Sequence, residues 1–241
     1  PGSSPLGYAL ASSSDGNKLA AAASGNYIFA TADGGATWTQ TGAVSNQWFA
    51  ICSSADGEKL AAVNYPGYVF TSVAGTWSSQ RGNNAYYRDI ASSADGNTLV
   101  AAGPYLYTST NSGATWYQRT AVLQSWNGVA ASTDGSKMAA ALDAAAGRMW
   151  TSTNSGVTWQ QTASPEKQWR YVASSGDGTK LYASTFGEKL YLSPDSGGNW
   201  TPTTLANDYY DVACSADGSI VAAAGNPKIY LSLNSGATWF D

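Results

Sequence analysis

The sequence predicts an all-β chain folded as a six-bladed β-propeller, with four antiparallel strands per blade. Three observations carry that prediction. The pair Asp-Gly recurs at Asp15, Asp56, Asp95, Asp134, Asp177 and Asp217, at steps of 41, 39, 39, 43 and 40 residues. Each copy holds four short runs of strand-forming residues bounded by turn residues. No stretch sustains a 3.6-residue apolar period. A repeat of about 40 residues carrying four strands matches a propeller blade.

Each repeat has the same order. A first strand ends in Leu, Ile or Val followed by Ala or Cys, and a Ser-rich turn with Asp-Gly follows. Asp-Gly supplies the positive φ that tight hairpins require. An Ala-rich second strand comes next, as in Lys18–Ala23. After a Gly, Pro or Asn loop, a third strand carries an aromatic: Phe29, Phe70, Tyr107, Trp150, Tyr191 or Tyr230. A second turn leads into a fourth strand that opens on Trp. Small residues in the first two strands suit the crowded axis of a propeller, and large ones in the last two suit the splayed rim. Residues 1–241 read as one domain, with blades at about 5–44, 45–84, 85–123, 124–165, 166–205 and 206–241. Pro5–Ser12 reads as the first strand and Ala237–Asp241 as the last, as closure of the ring requires.

At the second turn the copies read Thr31-Ala-Asp-Gly-Gly-Ala-Thr-Trp38, Ser109-Thr-Asn-Ser-Gly-Ala-Thr-Trp116, Ser152-Thr-Asn-Ser-Gly-Val-Thr-Trp159, Ser193-Pro-Asp-Ser-Gly-Gly-Asn-Trp200 and Ser232-Leu-Asn-Ser-Gly-Ala-Thr-Trp239. This resembles the Asp-box, or BNR repeat, of sialidase-like propellers. Blade two departs from the pattern: Thr71-Ser-Val-Ala-Gly-Thr-Trp77 has lost a residue and the acid. The resemblance implies that the box forms the turn between the third and fourth strands. It implies that Asp33, Asn111, Asn154, Asp195 and Asn234 bond the turn backbone, and that the Trp residues pack between blades. The family spans glycosidases, sorting receptors, assembly factors and carbohydrate-binding proteins, so the fold does not choose the function.

Composition removes several classes. The chain has no histidine, so His-based triads, His metal sites and the usual pH switch are absent. Twelve basic and sixteen acidic residues, without a basic cluster, make a poor nucleic-acid binder. No apolar run approaches the roughly 20 residues of a membrane helix, so no membrane insertion is expected. Cys52 and Cys214 sit in apolar stretches of different blades and read as buried filler. No cofactor or metal is implied. The chain starts at Pro1, which reads as a processed product; with the sequon Asn199-Trp200-Thr201, this points to an extracellular or cell-surface location.

Of 13 aspartates, six lie in Asp-Gly turns and two in the boxes. Asp89 and Asp211 share a column of the repeat, six residues before the Asp-Gly. They read either as a carboxylate pair for glycoside hydrolysis or as polar groups lining a wet channel, and the second is preferred. Sialidases need three arginines and a Phe-Arg-Ile-Pro motif. Here Arg81, Arg88, Arg119, Arg148 and Arg170 are the only arginines and the motif is missing.

Two positions earlier stand Gly7, Trp48, Tyr87, Trp126, Trp169 and Tyr209, followed by Tyr8, Phe49, Arg88, Asn127, Arg170 and Tyr210. Five of the six residues in the first column are large aromatics. At the channel mouth they would offer apolar faces to sugar rings, with Arg88, Asn127, Arg170, Asp89 and Asp211 taking hydroxyls. The alternative is that the rings plug the channel or pack between blades. The candidate ligand-binding set is therefore Trp48, Tyr87, Arg88, Asp89, Trp126, Asn127, Trp169, Arg170, Tyr209 and Asp211, with no catalytic residue assigned. The leading reading is a non-enzymatic module that binds carbohydrate. A structural or protein-interaction propeller and a carbohydrate-active hydrolase are the alternatives. A glycan or a protein is the expected partner.

Overall fold

The computed structural model describes residues 7–65, 67–80, 86–121 and 123–241. Among these residues every regular element is a strand. The chain divides into two compact units, Pro1–Gln118 and Arg119–Asp241, each carrying three of the six blades.

In the first unit, blade one comprises Gly7–Ser12, Leu19–Asn26, Ile28–Thr31 and Thr39–Gln40. Blade two comprises Asn46–Ser53, Lys59–Tyr65, Val69–Val73 and Thr76–Ser79. Blade three comprises Asp89–Ser92, Leu99–Ala102, Leu106–Ser109 and Tyr117–Gln118. In the second unit, blade four comprises Trp126–Ala131, Met138–Leu142, Met149–Ser152 and Gln160–Gln161. Blade five comprises Trp169–Ser174, Leu181–Thr185, Lys189–Ser193 and Thr201–Ala206. Blade six comprises Tyr209–Cys214, Val221–Gly225 and Ile229–Ser232, with Phe240 bridging to Leu231 as the fourth strand. Pairing is antiparallel throughout, as consecutive hairpins dictate.

The Asp-Gly turn is built identically six times. Ser13 Oγ donates to Asp15 Oδ1 at 2.6 Å, and Lys18 N–H donates back to Ser13 Oγ at 3.0 Å. The same 2.6 Å bond joins Ser54 to Asp56, Ser93 to Asp95, Ser132 to Asp134, Ser175 to Asp177 and Ser215 to Asp217. Within each unit this turn also ties one blade to the next. Ser14 N–H donates to Ala55 O at 2.8 Å, and Ala55 N–H to Ala94 O at 2.7 Å. In the second unit Thr133 N–H bonds Gly176 O and Gly176 N–H bonds Ala216 O, both at 2.7 Å. Lysines add a second tie: Lys18, Lys59 and Lys180 donate to the carbonyls of Asp56, Asp95 and Asp217, each at 2.9 Å. The lysine stem crosses the turn glycine of the next blade. A Cβ on Gly178 would meet Lys137 at 2.8 Å, and its φ of +68° disfavours any other residue.

These turns make the fold sensitive to acid. Hydrogen bonds from Ser13, Ser132 and Ser215 and from nearby backbone N–H groups hold Asp15, Asp134 and Asp217 at about 2, below the usual carboxylate value of 3.8. A carboxylate depressed on folding contributes stability above its unfolded value and loses it as pH falls through the folded one. Thermal melts followed by circular dichroism should therefore show the stability that these turns contribute being lost as pH falls from about 4 to 2. With no histidine, none of the loss between pH 5 and 8 comes from imidazole.

The second turn works as its residues predict. Ser109 Oγ donates to Asn111 Oδ1 at 2.9 Å and accepts Gly113 N–H at 2.9 Å, while Asn111 Oδ1 accepts Thr115 N–H at 2.9 Å. Blades one, four, five and six repeat the pattern. The sequon asparagine, Asn199, is part of it: its Nδ2 donates to Asp195 Oδ2 at 2.6 Å.

Blade two corrects the alignment read from sequence. Ser72 pairs with Leu60 as Ser109 pairs with Leu99, so Ser72, not Thr71, starts the turn. Its turn is two residues shorter than that of blade three, not one. It closes on Ala74 and Gly75, at φ of 48° and 82°, which is the primed hairpin geometry. The Ser72 hydroxyl is buried without a partner. Ser109→Ala should therefore cost about 1–2 kcal/mol, because it orphans the Gly113 N–H, whereas Ser72→Ala should change stability by less than about 0.5 kcal/mol. Chemical denaturation of the two variants checks this.

Within each unit, apolar cores lie between consecutive blades. Ala50, Val63 and Val69 of blade two pack on Tyr87, Ile90, Leu99 and Trp116 of blade three. Ala139, Ala141 and Met149 of blade four pack on Trp169, Val172 and Leu181 of blade five. Cys52 and Cys214 are free and half-buried, and burial pushes both thiols up, Cys214 to about 12.

Candidate binding surface

The five aromatics of the repeat column are core residues. Trp48, Trp126, Trp169 and Tyr209 are 0% exposed and Tyr87 is 3% exposed. Each ring meets the third-strand aromatic of its own blade edge-on: Trp48 on Phe70 (5.0 Å), Tyr87 on Tyr107 (5.5 Å), Trp126 on Trp150 (5.8 Å), Trp169 on Tyr191 (5.1 Å) and Tyr209 on Tyr230 (6.2 Å). This is the favourable geometry for paired rings. The expectation of a solvent-facing aromatic rim is corrected: these rings offer no stacking face to a ligand.

The cause is a β-bulge that the residue types did not reveal. After the aromatic in blades two, four, five and six, the first strand carries one extra residue relative to the second. Trp48 pairs with Asn64 but Ala50 with Val63, and Tyr209 pairs with Gly225 but Asp211 with Ala224. Register shifts recur between Gly7 and Ala9, Trp126 and Val129, and Trp169 and Val172. A bulge re-aims the side chains beside it. The aromatic turns into the blade, and in blades two and six the following residue, Phe49 or Tyr210, turns out.

That following position is where the surface lies. Phe49, Arg88 and Tyr210 are exposed and Arg170 is half-buried, whereas Asn127 is buried. Arg81 lies outside the described residues. Asp89 and Asp211 occupy equivalent places, each accepting the N–H of the next residue, Ile90 or Val212, at 2.8 Å. Asp211 reaches solvent yet is closely surrounded, and desolvation raises its carboxyl above the usual range.

The best-organised group is in the second unit. The Arg170 guanidinium lies 4.1 Å over the centre of the Phe186 ring and 5.9 Å from that of Tyr210. Its Nη1 is 3.4 Å from Asp208 Oδ1, a carboxylate that also accepts Gly187 N–H at 3.2 Å. Phe186 and Tyr210 are 50% and 47% exposed. The loops beneath are tied by Phe186 N–H to Gln168 O and by Lys167 to Glu188 Oε2 at 2.7 Å. From Asp208 an open groove of about 530 Å³ continues past Asn207, Pro202 and Tyr191 to Lys167. The result is a planar cation held over one exposed ring and near a second, with one long ionic contact. Sequence reading found Arg170 but missed Phe186 and Asp208 as its partners. Phe186 stands in the hairpin between second and third strands, outside the repeat columns, and the Phe-Gly pair there was the available signal.

No protein-family model and no curated protein matches the sequence. Solved structures do match its fold. YCF48 from Cyanidioschyzon merolae aligns with 97% of this chain and 83% of its own at 18% identity, with a TM-score of 0.71. A structure described as YCF48 bound to D1 peptide aligns with 98% and 81% at 15% identity and a TM-score of 0.69. The GH74 xyloglucanase from Xanthomonas campestris aligns with 96% of this chain but 45% of its own, at 16% identity and a TM-score of 0.70. At these identities the likeness establishes a β-propeller and leaves membership of the Asp-box family without a family-model match.

Proposed function

We propose that this chain is a non-enzymatic binding propeller that holds an extended, acidic polypeptide segment of a partner protein on the surface formed by Arg170, Phe186, Tyr210 and Asp208. The observation that carries this reading is the guanidinium fixed over Phe186 and beside Tyr210. A peptide carboxylate would take the guanidinium in bidentate fashion and displace the long Asp208 contact. Apolar side chains of the same segment would lie on the two exposed rings, and the adjoining groove would accept its continuation. Burial of the five column aromatics supports a protein partner over a glycan, since the stacking platform of the carbohydrate reading faces inward. The solved propeller described as bound to D1 peptide supports the class of partner.

An array of synthetic peptides rich in Asp, Glu and aromatic residues tests the proposal, read with wild type, Arg170→Ala, Arg170→Lys and Tyr210→Ala. Arg170→Ala should weaken binding tenfold or more, on the order of a hot-spot loss. Arg170→Lys should recover only part of it, because an ammonium lacks the planar fork. Equal peptide binding by all variants, or no peptide binding, would overturn the reading. Glycan binding lost in the same variants would replace it with carbohydrate recognition.

A further inference from the structure

The same crevice between adjacent blades occurs three times among the described residues, and one copy is hollow. Between blades two and three it is lined by Lys59, Leu60, Thr71, Gly96, Leu99 and Ser112 and encloses about 10 Å³. Between blades four and five it is lined by the equivalent Lys137, Met138, Thr151, Gly178, Leu181 and Ser196 and again encloses about 10 Å³. Between blades one and two the counterparts are Lys18, Leu19, Ala30, Gly57 and Leu60, Gly75 also lines the crevice, and the space is about 140 Å³.

Three sequence differences combine to open it. The second turn of blade two is two residues short. Ala74 stands where blades three and five carry Ser112 and Ser196, as the shared bonds of Ala74 N–H to Glu58 O, Ser112 N–H to Asn97 O and Ser196 N–H to Thr179 O show. Ala30 stands in the register column of Thr71, Thr108, Thr151, Leu192 and Leu231. In the filled crevices that side chain abuts the turn glycine: a Cβ on Gly113 would come within 2.6 Å of Thr71 Cγ2, and one on Gly197 within 3.1 Å of Thr151 Cγ2. A Cβ on Gly75 meets nothing within 4 Å.

The lining decides what could fill the space. Leu19, Ala20, Ala30 and Leu60 are aliphatic, and Trp77 is aromatic. The hydroxyls at the wall are already committed. Thr31 Oγ1 donates to Asp33 Oδ1 at 2.6 Å, Thr41 Oγ1 to Ile28 O at 2.9 Å and Ser53 Oγ to Ser54 O at 2.9 Å. Lys18 is engaged by Glu58 and by the Asp56 carbonyl. Glu58 also lines the space but is paired with Lys18, which leaves Trp77 Nε1 as a buried wall donor without a partner. One free donor falls short of the two to four polar partners that water needs, whereas apolar cavities of roughly 150 Å³ accept benzene-sized guests.

We infer that the crevice between blades one and two is a binding site for a small neutral aromatic molecule, created by the shortened turn of blade two together with Ala30. It lies wholly within the first unit and does not depend on the proposed peptide surface.

Saturation-transfer NMR with toluene tests it. Wild type should give a saturable signal that excess benzene competes away, and Arg170→Ala should give the same. Ala30→Leu places in blade one the residue that blades five and six carry at this column, and should weaken toluene binding at least tenfold while raising thermal stability. No transfer to wild type, or equal transfer to Ala30→Leu, would overturn the proposal. Should circular dichroism show that Ala30→Leu is unfolded, Ala30→Thr, the residue of blades two, three and four, is read in its place. Its binding should be several-fold weaker, and undiminished binding would be equally fatal.

Discussion

Trp169→Ala should destabilise the fold by about 3–5 kcal/mol, the cost of truncating a fully buried tryptophan and leaving a cavity behind. The ring is 0% exposed, lies 5.1 Å from Tyr191 and 5.4 Å from Trp200, and donates its N–H to Pro165 O at 3.3 Å. For a chain of this length the melting temperature should fall by roughly 10 °C or more. Trp48→Ala and Trp126→Ala should behave alike, since both rings are 0% exposed. The contrast is with Tyr210→Ala, whose ring is 47% exposed and whose loss should cost less than about 1 kcal/mol. Differential scanning calorimetry on the four variants separates the two classes. The comparison matters for function. Loss of binding in a Trp variant would report unfolding, whereas loss in Tyr210→Ala would report the surface.

Gly128→Ala should destabilise by about 1–3 kcal/mol and should also disturb the Arg170 surface. Gly128 lies within the bulge of blade four, between Trp126 and Val129. A Cβ there would stand 2.7 Å from Arg170 O, 2.7 Å from Tyr171 Cα and 3.1 Å from Val172 N. All three atoms are backbone, so no side-chain rotation relieves the clash, and the first strand of blade five must move. Urea denaturation gives the stability change. Peptide affinity measured on the folded fraction should fall as well, because the displaced segment includes Arg170. A variant with native stability would show that the two strands are less tightly apposed than described.

Much of the fold was legible because repetition amplifies weak local signals. One Asp-Gly turn is an ordinary hairpin hint, but six at near-constant spacing specify a repeating four-stranded unit. The second turn was equally plain, because Asp33, Asn111, Asn154, Asp195 and Asn234 act on backbone within four residues of themselves. The shortened turn of blade two was recognised, but its true length depended on which residue paired with Leu60, and pairing is not local.

The candidate surface was legible only in part, for the same reason. The column holding Trp48, Tyr87, Trp126, Trp169 and Tyr209 was visible in the sequence, but its direction was not. A single extra residue in the first strand reverses which of two neighbours faces the core, and neither neighbour's identity announces it. Arg170 was identified, but Phe186 and Asp208 come from different hairpins and meet it only in space. The six four-stranded blades and the chemistry of their turns follow from residues a few positions apart, and so could be read along the chain. That the repeated aromatics are core, and that Phe49, Arg88 and Tyr210 beside them are exposed while Asn127 is buried, came from the folded arrangement alone. Strand register and the bulge that shifts it are set by packing against neighbouring strands and blades, far away along the chain.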